Sequence, residues 1–397
     1  MPASGKNQQT IREENRALLL RLICTEQSIS RVALARRTGL SKMAVGNIIA
    51  DLMESGLVRE GDSLSGGRGA GRRAVGLFPG DRALAAGVYI SRDHVTASLI
   101  SLSARVLKSL RYPLSAGDDA SSVVDKVCRG IDEVTAGVAA DRLLGVGVAS
   151  IGPVDVTEGV LLTPNDFYGI GELPLKDVIS QRTGLDVTVD NDMNAAAMAE
   201  SLFGLGRDHA SFIYLGITHG VGSGVVLNGR VYYGEEGFAG EIGHTVLEVS
   251  GEPCTCGNRG CFEAYVSIPR LLEYTRARLE SGEDSVLSSI PGFDFGDICQ
   301  NAPTDALCSK VLDRLVLYTG AALTNAVNVF DVCEVVLGHD VAAGGRALAR
   351  RLEEHINGRL FARRRKRRVG VEISAFGDAA PAVGSGMLAF AKLFGLR

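Results

Sequence analysis

Between residues 241 and 263 the chain reads "EIGHTVLEVSGEPCTCGNRGCFE". Cys254, Cys256 and Cys261 fall at C-x-C-x4-C spacing in a Gly/Pro-rich loop, and His244 lies ten residues upstream. Three thiolates are one ligand short of a tetrahedral Zn2+ site, and an imidazole completes the set. A site closed by four protein ligands has no open position for substrate, so its metal would be structural rather than catalytic. The alternatives are three unrelated core cysteines, or one disulfide and a spare thiol. Cysteines one residue apart seldom bridge each other comfortably, and a reducing compartment disfavours disulfides.

Two carboxylates flank this loop, Glu241 and Glu263. Held rigidly, they would accept hydrogen bonds from hydroxyl groups, which is what sugar recognition needs. A further acidic cluster is "VDNDMNAAAMAE", in which Asn191 and Asp192 end a strand-like run just before a helix-like one. Asp192 there would be placed to take a proton from a substrate hydroxyl as a general base, or else simply to cap the helix.

The elements that must carry these groups alternate. "RALAAGVYI" and "HVTASLISL" read as paired strands, a helix falls near 120–140, and "LLGVGVASIG" is a strand. "DVTVDN" leads into the helix "NAAAMAESLFG", and "SFIYLGI" and "GVVLNGRVYYG" are strands. A helix over about 306–330, the strand "EVVLG", a helix over 342–361, the strand "VGVEISAF" and a helix over 379–394 complete the pattern. This is an α/β body with antiparallel strands at its start, long enough for two lobes and a ligand cleft. The 397 residues are 46% hydrophobic, as in a globular protein. No apolar run nears the roughly 18 residues that span a membrane, and no signal-peptide core opens the chain. Eight cysteines are too few for a disulfide scaffold. The expected location is the cytoplasm. The run "FARRRKRRVG" at 361–370 reads as a solvated helix end, with a nucleic-acid contact as the alternative.

The net charge of −4 hides an asymmetry, because residues 1–80 hold 12 Lys/Arg against 7 Asp/Glu. A basic module on an acidic body suits an anionic partner, although a solvated basic face is the bland alternative. Residues 15–26 have helical spacing; "SRVALARRTG" fits a helix between an N-cap at Ser30 and a stop at Gly39. "SKMAVGNIIADLMESG" fits another, capped by Ser41 and ended by Gly56, with Val45, Ile48, Ile49 and Leu52 inward. The last two helices form a helix-turn-helix, whose second helix would present Ser41, Lys42, Met43, Ala44, Gly46 and Asn47 to DNA. Strand-like pieces near 57–60 and 74–78 flank a glycine-rich tip with Arg68, Arg72 and Arg73, as in a β-wing reaching for phosphates or the minor groove. A three-helix protein-interaction module with a solvated loop is the alternative.

"TVDNDMNAAAMAE", "GFAGEIGHTVLE" and "CTCGNRGCFEAY", in that order, resemble the ROK family of repressors and sugar kinases, over essentially the whole chain. The resemblance implies a two-lobed sugar-kinase/Hsp70/actin-like body over 83–397 with a zinc loop at 244–261, preceded by a winged helix-turn-helix over 1–80. It implies zinc on His244, Cys254, Cys256 and Cys261. A sugar would be held by Asn165, Asn191, Asp192, Glu241, His244 and Glu263. In family kinases the aspartate matching Asp192 is the catalytic base. An N-terminal winged helix marks the regulators, which answer to a sugar or sugar phosphate.

Departures from the kinase pattern point the same way. The family's D-x-G-G-T phosphate loop reads "YISRD", with Tyr89 for the aspartate and Ser91, Arg92 and Asp93 for Gly-Gly-Thr. Without those glycines the backbone cannot close around phosphate. The G-T-G-x-G loop reads "THGVG" with His219, and the adenosine loop's glycine pair reads "GHD" at 338–340. The expectation is therefore a sugar-responsive repressor of carbohydrate genes that binds a double-stranded operator as a homodimer or homotetramer, without ATP. Two rivals stand beside it: a sugar kinase fused to a DNA-binding domain, with Asp192 as its base, and a regulator that answers to a protein instead of a sugar.

Overall fold

The computed structural model describes residues 7–61, 75–163, 167–361 and 367–396. The chain parts into two compact units. Unit 1 comprises Met1–Ala149, Pro174–Asp190 and Ser385–Arg397; unit 2 comprises Ser150–Leu173 and Asn191–Gly384.

Unit 1 opens with helices α1 (Gln8–Glu26), α2 (Arg31–Thr38) and α3 (Lys42–Glu54). Strand β1 (Ile29–Ser30) joins the hairpin of β2 (Val58–Gly61) and β3 (Gly76–Pro79) in an antiparallel sheet ordered β1-β3-β2. The start of α2 follows from Ser30, whose hydroxyl accepts from Ala33 N, and its stop from Gly39 in the left-handed region. Ser41 caps α3 by accepting from Ala44 N at 3.1 Å. Val45, Ile48, Ile49 and Leu52 are all buried, so the inward face is the one the spacing predicts. Helix α1 starts seven residues before the expected span, because Asn7 caps it through Thr10 N. The strands β2 and β3 confirm a wing, whose tip with Arg68, Arg72 and Arg73 lies outside the described residues.

The rest of unit 1 is a five-stranded sheet ordered β10-β7-β4-β5-β6, comprising β4 (Leu84–Ile90), β5 (His94–Ser101), β6 (Val106–Pro113), β7 (Leu143–Ser150) and β10 (Val187–Asn191). Helices α4 (Ala120–Thr135) and α5 (Leu175–Thr183) belong to the same unit. Strand β6 was not expected; it is an edge strand, largely exposed along its length, so it lacks the apolar alternation that marks a buried strand.

Unit 2 is built on a sheet ordered β13-β12-β11-β14-β15. It comprises β11 (Phe212–Ile217), β12 (Val221–Leu227), β13 (Arg230–Val231), β14 (Glu334–Gly338) and β15 (Gly370–Ile373), with a separate small pair, β8 (Val154–Asp155) and β9 (Val160–Leu161). The pairing is antiparallel from β11 to β13 and parallel from β11 through β14 to β15. Alternation along β11 divides its side chains between two cores. Ile213, Leu215 and Ile217 pack with α10 (Ala306–Phe330) and α11 (Gly345–Arg359). Phe212 and Tyr214 pack with Met193, Ala196 and Ala197 of α6 (Asp192–Phe203). Helix α6 lies so close to β12 that a Cβ on Gly224 would stand 2.4 Å from Met193 O. Helices α7 (Glu263–Val266), α8 (Ile268–Glu280), α9 (Phe295–Asn301) and α12 (Ala380–Phe390) complete the fold. No helix among the described residues is long and apolar enough to cross a membrane.

One buried ion pair gives unit 1 an acid limb. The Lys126 ammonium bonds the Asp118 carboxylate, which also accepts from Ser115 N at 2.7 Å. Led by the Lys126 bond, these hold Asp118 down to about 2. A depressed carboxylate stabilises the fold above its unfolded value near 3.9, and that contribution is lost as pH falls through about 2. Lys126→Met should cost about 1 kcal/mol at neutral pH after allowing for solvent screening. In urea melts, the gap between variant and parent should close between pH 4 and pH 2.

Candidate functional site

The four sulfur and nitrogen ligands meet because two chain segments pair. Phe262 N donates to Thr245 O at 2.9 Å and Leu247 N to Gly260 O at 2.8 Å, with a bridge between Val246 and Cys261. This brings His244 beside Cys261. A tight turn, with Cys254 N on Asn258 O at 2.8 Å, folds Cys254 and Cys256 back over them. One ligand atom from each of His244, Cys254, Cys256 and Cys261 then lies within 4.8 Å of the others. His244 Nδ1 is 3.7 Å from Cys254 Sγ, and Cys256 Sγ is 3.7 Å from Cys261 Sγ. Bonds of about 2.3 Å to sulfur and about 2.0 Å to nitrogen set tetrahedral edges of roughly 3.5–3.8 Å, so the cluster has the dimensions of a metal centre.

The surroundings of the thiols suit a bound cation. Burial raises Cys254, and burial together with hydrogen bonds from Cys256 and Cys254 pushes Cys261 up to about 12. Burial acts against Cys256 too, but bonds from the Asn258 backbone and the other two thiols bring it below its ordinary value. Three thiolates cannot share one pocket without a counter-charge, which a divalent ion supplies.

Glu241 immediately precedes the turn that carries His244, and Glu263 begins α7. Glu263 Oε2 accepts from Val221 N at 2.8 Å, and its other oxygen takes Thr255 Oγ1 at 3.4 Å. The carboxylate is thus fastened both to the β11–β12 hairpin and to the cysteine loop. Glu241 is exposed as a residue, yet the protein around its carboxyl raises the pKa by desolvation; His244 opposes this and Glu263 adds to it. Asn191 caps α6, with Oδ1 accepting from Met193 N at 2.9 Å. Asp192 follows as the first helical residue and is buried. Asn191 holds the N-cap position, and Asp192 Oδ1 accepts from the same Met193 N at 2.9 Å, so the two side chains share that donor. Asn165 lies outside the described residues.

A clamp that sequence reasoning missed holds the loop. Tyr265 and Tyr318 stack at 4.3 Å, and both hydroxyls donate to Glu248, at 3.2 and 2.7 Å. Arg314 of α10 lies over both rings. Tyr265 sits in the motif "CFEAY", but Tyr318 is 53 positions further along an ordinary helix face and carries no signal of its own.

The expected phosphate and adenosine loops are also visible. In the β4–β5 turn, Ser91 Oγ meets Asp93 Oδ1 and His94 Nδ1, each at 2.7 Å. Arg111 reaches Asp93 at 3.3 Å and His94 at 2.9 Å. Burial would raise Asp93, but the Ser91 and His94 contacts lower it overall. His219 is exposed in the β11–β12 hairpin. His339 adopts a left-handed φ of 58° and is buried with Nδ1 3.1 Å from Tyr214 Oη; burial lowers its pKa to about 4, so it is neutral near pH 7. In the basic run, residues 362–366 lie outside the described set, while Arg367 bonds the carbonyls of Val327 and Val332 and pairs with Asp331 at 3.0 Å, closing the end of α10.

At the DNA-facing candidate, Ser41, Lys42, Met43 and Asn47 are exposed and Ala44 is half-buried. The Ser41 hydroxyl is engaged as the cap of α3.

The description "ROK family" matches residues 85–392, and "Winged helix-turn-helix DNA-binding" matches residues 12–59. The chain belongs to the ROK family. It is 28% identical over 387 residues to a xylose repressor of Bacillus subtilis (strain 168), covering 95% of each chain. A solved ROK family transcriptional regulator, described as a homolog of the E. coli MLC protein, superposes with a TM-score of 0.81 at 29% identity, over 97% of this chain and 98% of that one. A ROK family glucokinase from Streptomyces griseus, solved with glucose and AMPPNP, gives a TM-score of 0.69 at 26% identity, over 77% and 99%. The body is therefore the ROK α/β fold with a winged helix-turn-helix in front of it.

The loop geometry makes its own prediction. Gly260 has φ 72°, and a Cβ there would lie 1.7 Å from Glu248 O. Gly260→Ala should cost more than about 1 kcal/mol in thermal unfolding. It should also weaken the hold of the His/Cys cluster on a divalent metal, measured by competition with a chromogenic chelator.

Proposed function

We propose that this protein is a sugar-responsive DNA-binding transcriptional regulator, a repressor of carbohydrate-metabolism genes. The observation that carries the reading is a combination within one chain. A winged helix-turn-helix stands before a ROK body whose sugar-type groups Asn191, Asp192, Glu241, His244 and Glu263 are present, while the three nucleotide loops depart from the kinase pattern. On this reading α3 enters the major groove through Ser41, Lys42, Met43, Ala44 and Asn47, and Arg68, Arg72 and Arg73 of the wing contact the backbone or minor groove. The protein acts in the cytoplasm as a homodimer or homotetramer on paired half-sites.

The His/Cys cluster holds a structural Zn2+. The 3.7 Å edges and the mutually opposed thiol pKa values fit that ion. Bound there, it neutralises thiolate charge and pins the loop; it does no chemistry on substrate. His244 then turns Nδ1 to the metal, with Nε2 on the opposite edge of the ring for a sugar hydroxyl. Glu241, Glu263, Asn191 and Asp192 supply acceptors, with Asn165 as a further contact.

Three features support a site without ATP. Ser91, Asp93, His94 and Arg111 satisfy one another where a phosphate would need free donors. Tyr89 replaces the family's metal-anchoring carboxylate. The His339 ring fills space beside Tyr214 in the loop where the family has small glycines. A kinase reading is favoured by one observation, the buried Asp192 at the start of α6. Incubation with ATP, Mg2+ and a hexose and pentose panel separates the two readings. We expect no phosphoryl transfer; transfer abolished in Asp192→Asn would establish the kinase instead.

Two measurements test the site itself. Elemental analysis should find about one zinc per chain, lost in Cys256→Ser; a folded, metal-free parent would remove the metal from the argument. Titration calorimetry with free and phosphorylated sugars should detect one binder, and Glu263→Gln should weaken it on the order of 10–100-fold, as expected for loss of a charge-assisted hydrogen bond. Affinity for DNA without ligand should not move; equal loss of both would reduce Glu263 to a structural role, and no binder at all would favour a protein effector.

A further inference from the structure

Gly46 occupies the interior of α3, where a glycine weakens a helix relative to alanine. Its φ is not positive, and a Cβ built on it meets no atom of the described residues within 4 Å. Neither backbone conformation nor packing among the described residues calls for it. At helical spacing Gly46 shares a face with Met43, Asn47 and Ala50, opposite the buried Val45, Ile48, Ile49 and Leu52. On that face Met43 is 76% exposed beside Lys42 and Asn47.

We propose that Met43 and Gly46 determine operator sequence: Gly46 lets a base-pair edge approach the α3 backbone, and Met43 packs on the 5-methyl group of a thymine in each half-site. Thymine's methyl is the apolar mark of the major groove, and the residue that reads it must be apolar and uncovered. Asn47, one turn beyond Met43, is placed to hydrogen-bond a neighbouring base, with adenine the natural partner for its amide. The inference rests on α3 being the DNA-reading helix.

Selection of the full-length protein on a random duplex pool provides the probe. Wild type should enrich a duplex with a thymine in each half-site. Gly46→Ala should raise the melting temperature of the protein by about 2–4 °C, because a helix interior gains alanine. The same change should weaken binding to the enriched duplex about 10-fold or more while leaving affinity for random-sequence duplex and its salt slope unchanged. Replacing that thymine by uracil removes only the methyl. It should cost wild type about fourfold, the worth of one buried methyl group, and cost Met43→Ala nothing. A Gly46→Ala protein that binds the enriched duplex as tightly as wild type, or melts lower, overturns the role of Gly46; an equal uracil penalty in both proteins overturns that of Met43. A wild type that enriches no duplex would instead sink the DNA-reading assignment of α3, and this inference with it.

Discussion

The crowding of three thiols and an imidazole within 4.8 Å is the constraint on which the candidate site depends. Within the segment between Glu241 and Glu263, Ile242, Cys261 and Phe262 are buried at the two ends, while the middle is open, Val249 being 89% exposed. The open middle is ordered by paired backbone and by glycines in left-handed conformations, while the ligand atoms would repel one another when ionised. A divalent cation held there would offset that repulsion. The two carboxylates bracket this segment, so whatever fixes the ligands also fixes them. The Glu248 clamp on Tyr265 and Tyr318 performs the same task from the outer side, anchoring the loop to α10.

A second set of groups is placed by close packing rather than by ligands. Helix α6 lies against β12 only because Gly222 and Gly224 carry no side chain; a Cβ at either would strike Met193. That contact sets the start of the helix, where Asn191 spends its side chain on the cap and Asp192 is buried next to it. Neighbouring polar residues thus share one donor: Asn191 Oδ1 and Asp192 Oδ1 both accept from Met193 N at 2.9 Å where the helix starts.

Much of this was legible in the sequence because it is local. Helix α10 and strand β14 were placed at their observed bounds, since a long apolar-periodic run and a β-branched run have unambiguous periods. The Ser30, Gly39 and Ser41 punctuation of α2 and α3 was equally readable, as capping acts within four residues. The ligand spacing of Cys254, Cys256 and Cys261 is likewise a property of one loop. What escaped depends on distant partners. The exposed edge strand β6 has no apolar face to announce it. Arg367 looks like one member of a solvated basic run until Val327, Val332 and Asp331 are seen around it. Tyr318 acquires its meaning only from Glu248, 70 positions away. That Asn191 and Asp192 share the Met193 N–H depends on local backbone geometry, which composition cannot rank.

The network at Ser91 shows how the β4–β5 turn engages its own polar groups. Asp93 and Arg111 are well exposed, so their ion pair contributes little to stability and would not by itself keep an anion out. The buried Ser91 is different. Its hydroxyl has one proton to give, and Asp93, His94 Nδ1 and the His94 carbonyl already surround it at 2.7–3.1 Å. A phosphate arriving there would have to take that proton from a nearby carboxylate of its own charge sign, and would find side chains in place of the bare backbone that a glycine pair presents. The Ser91 proton is thus satisfied within the turn, with the Asp93 carboxylate beside it.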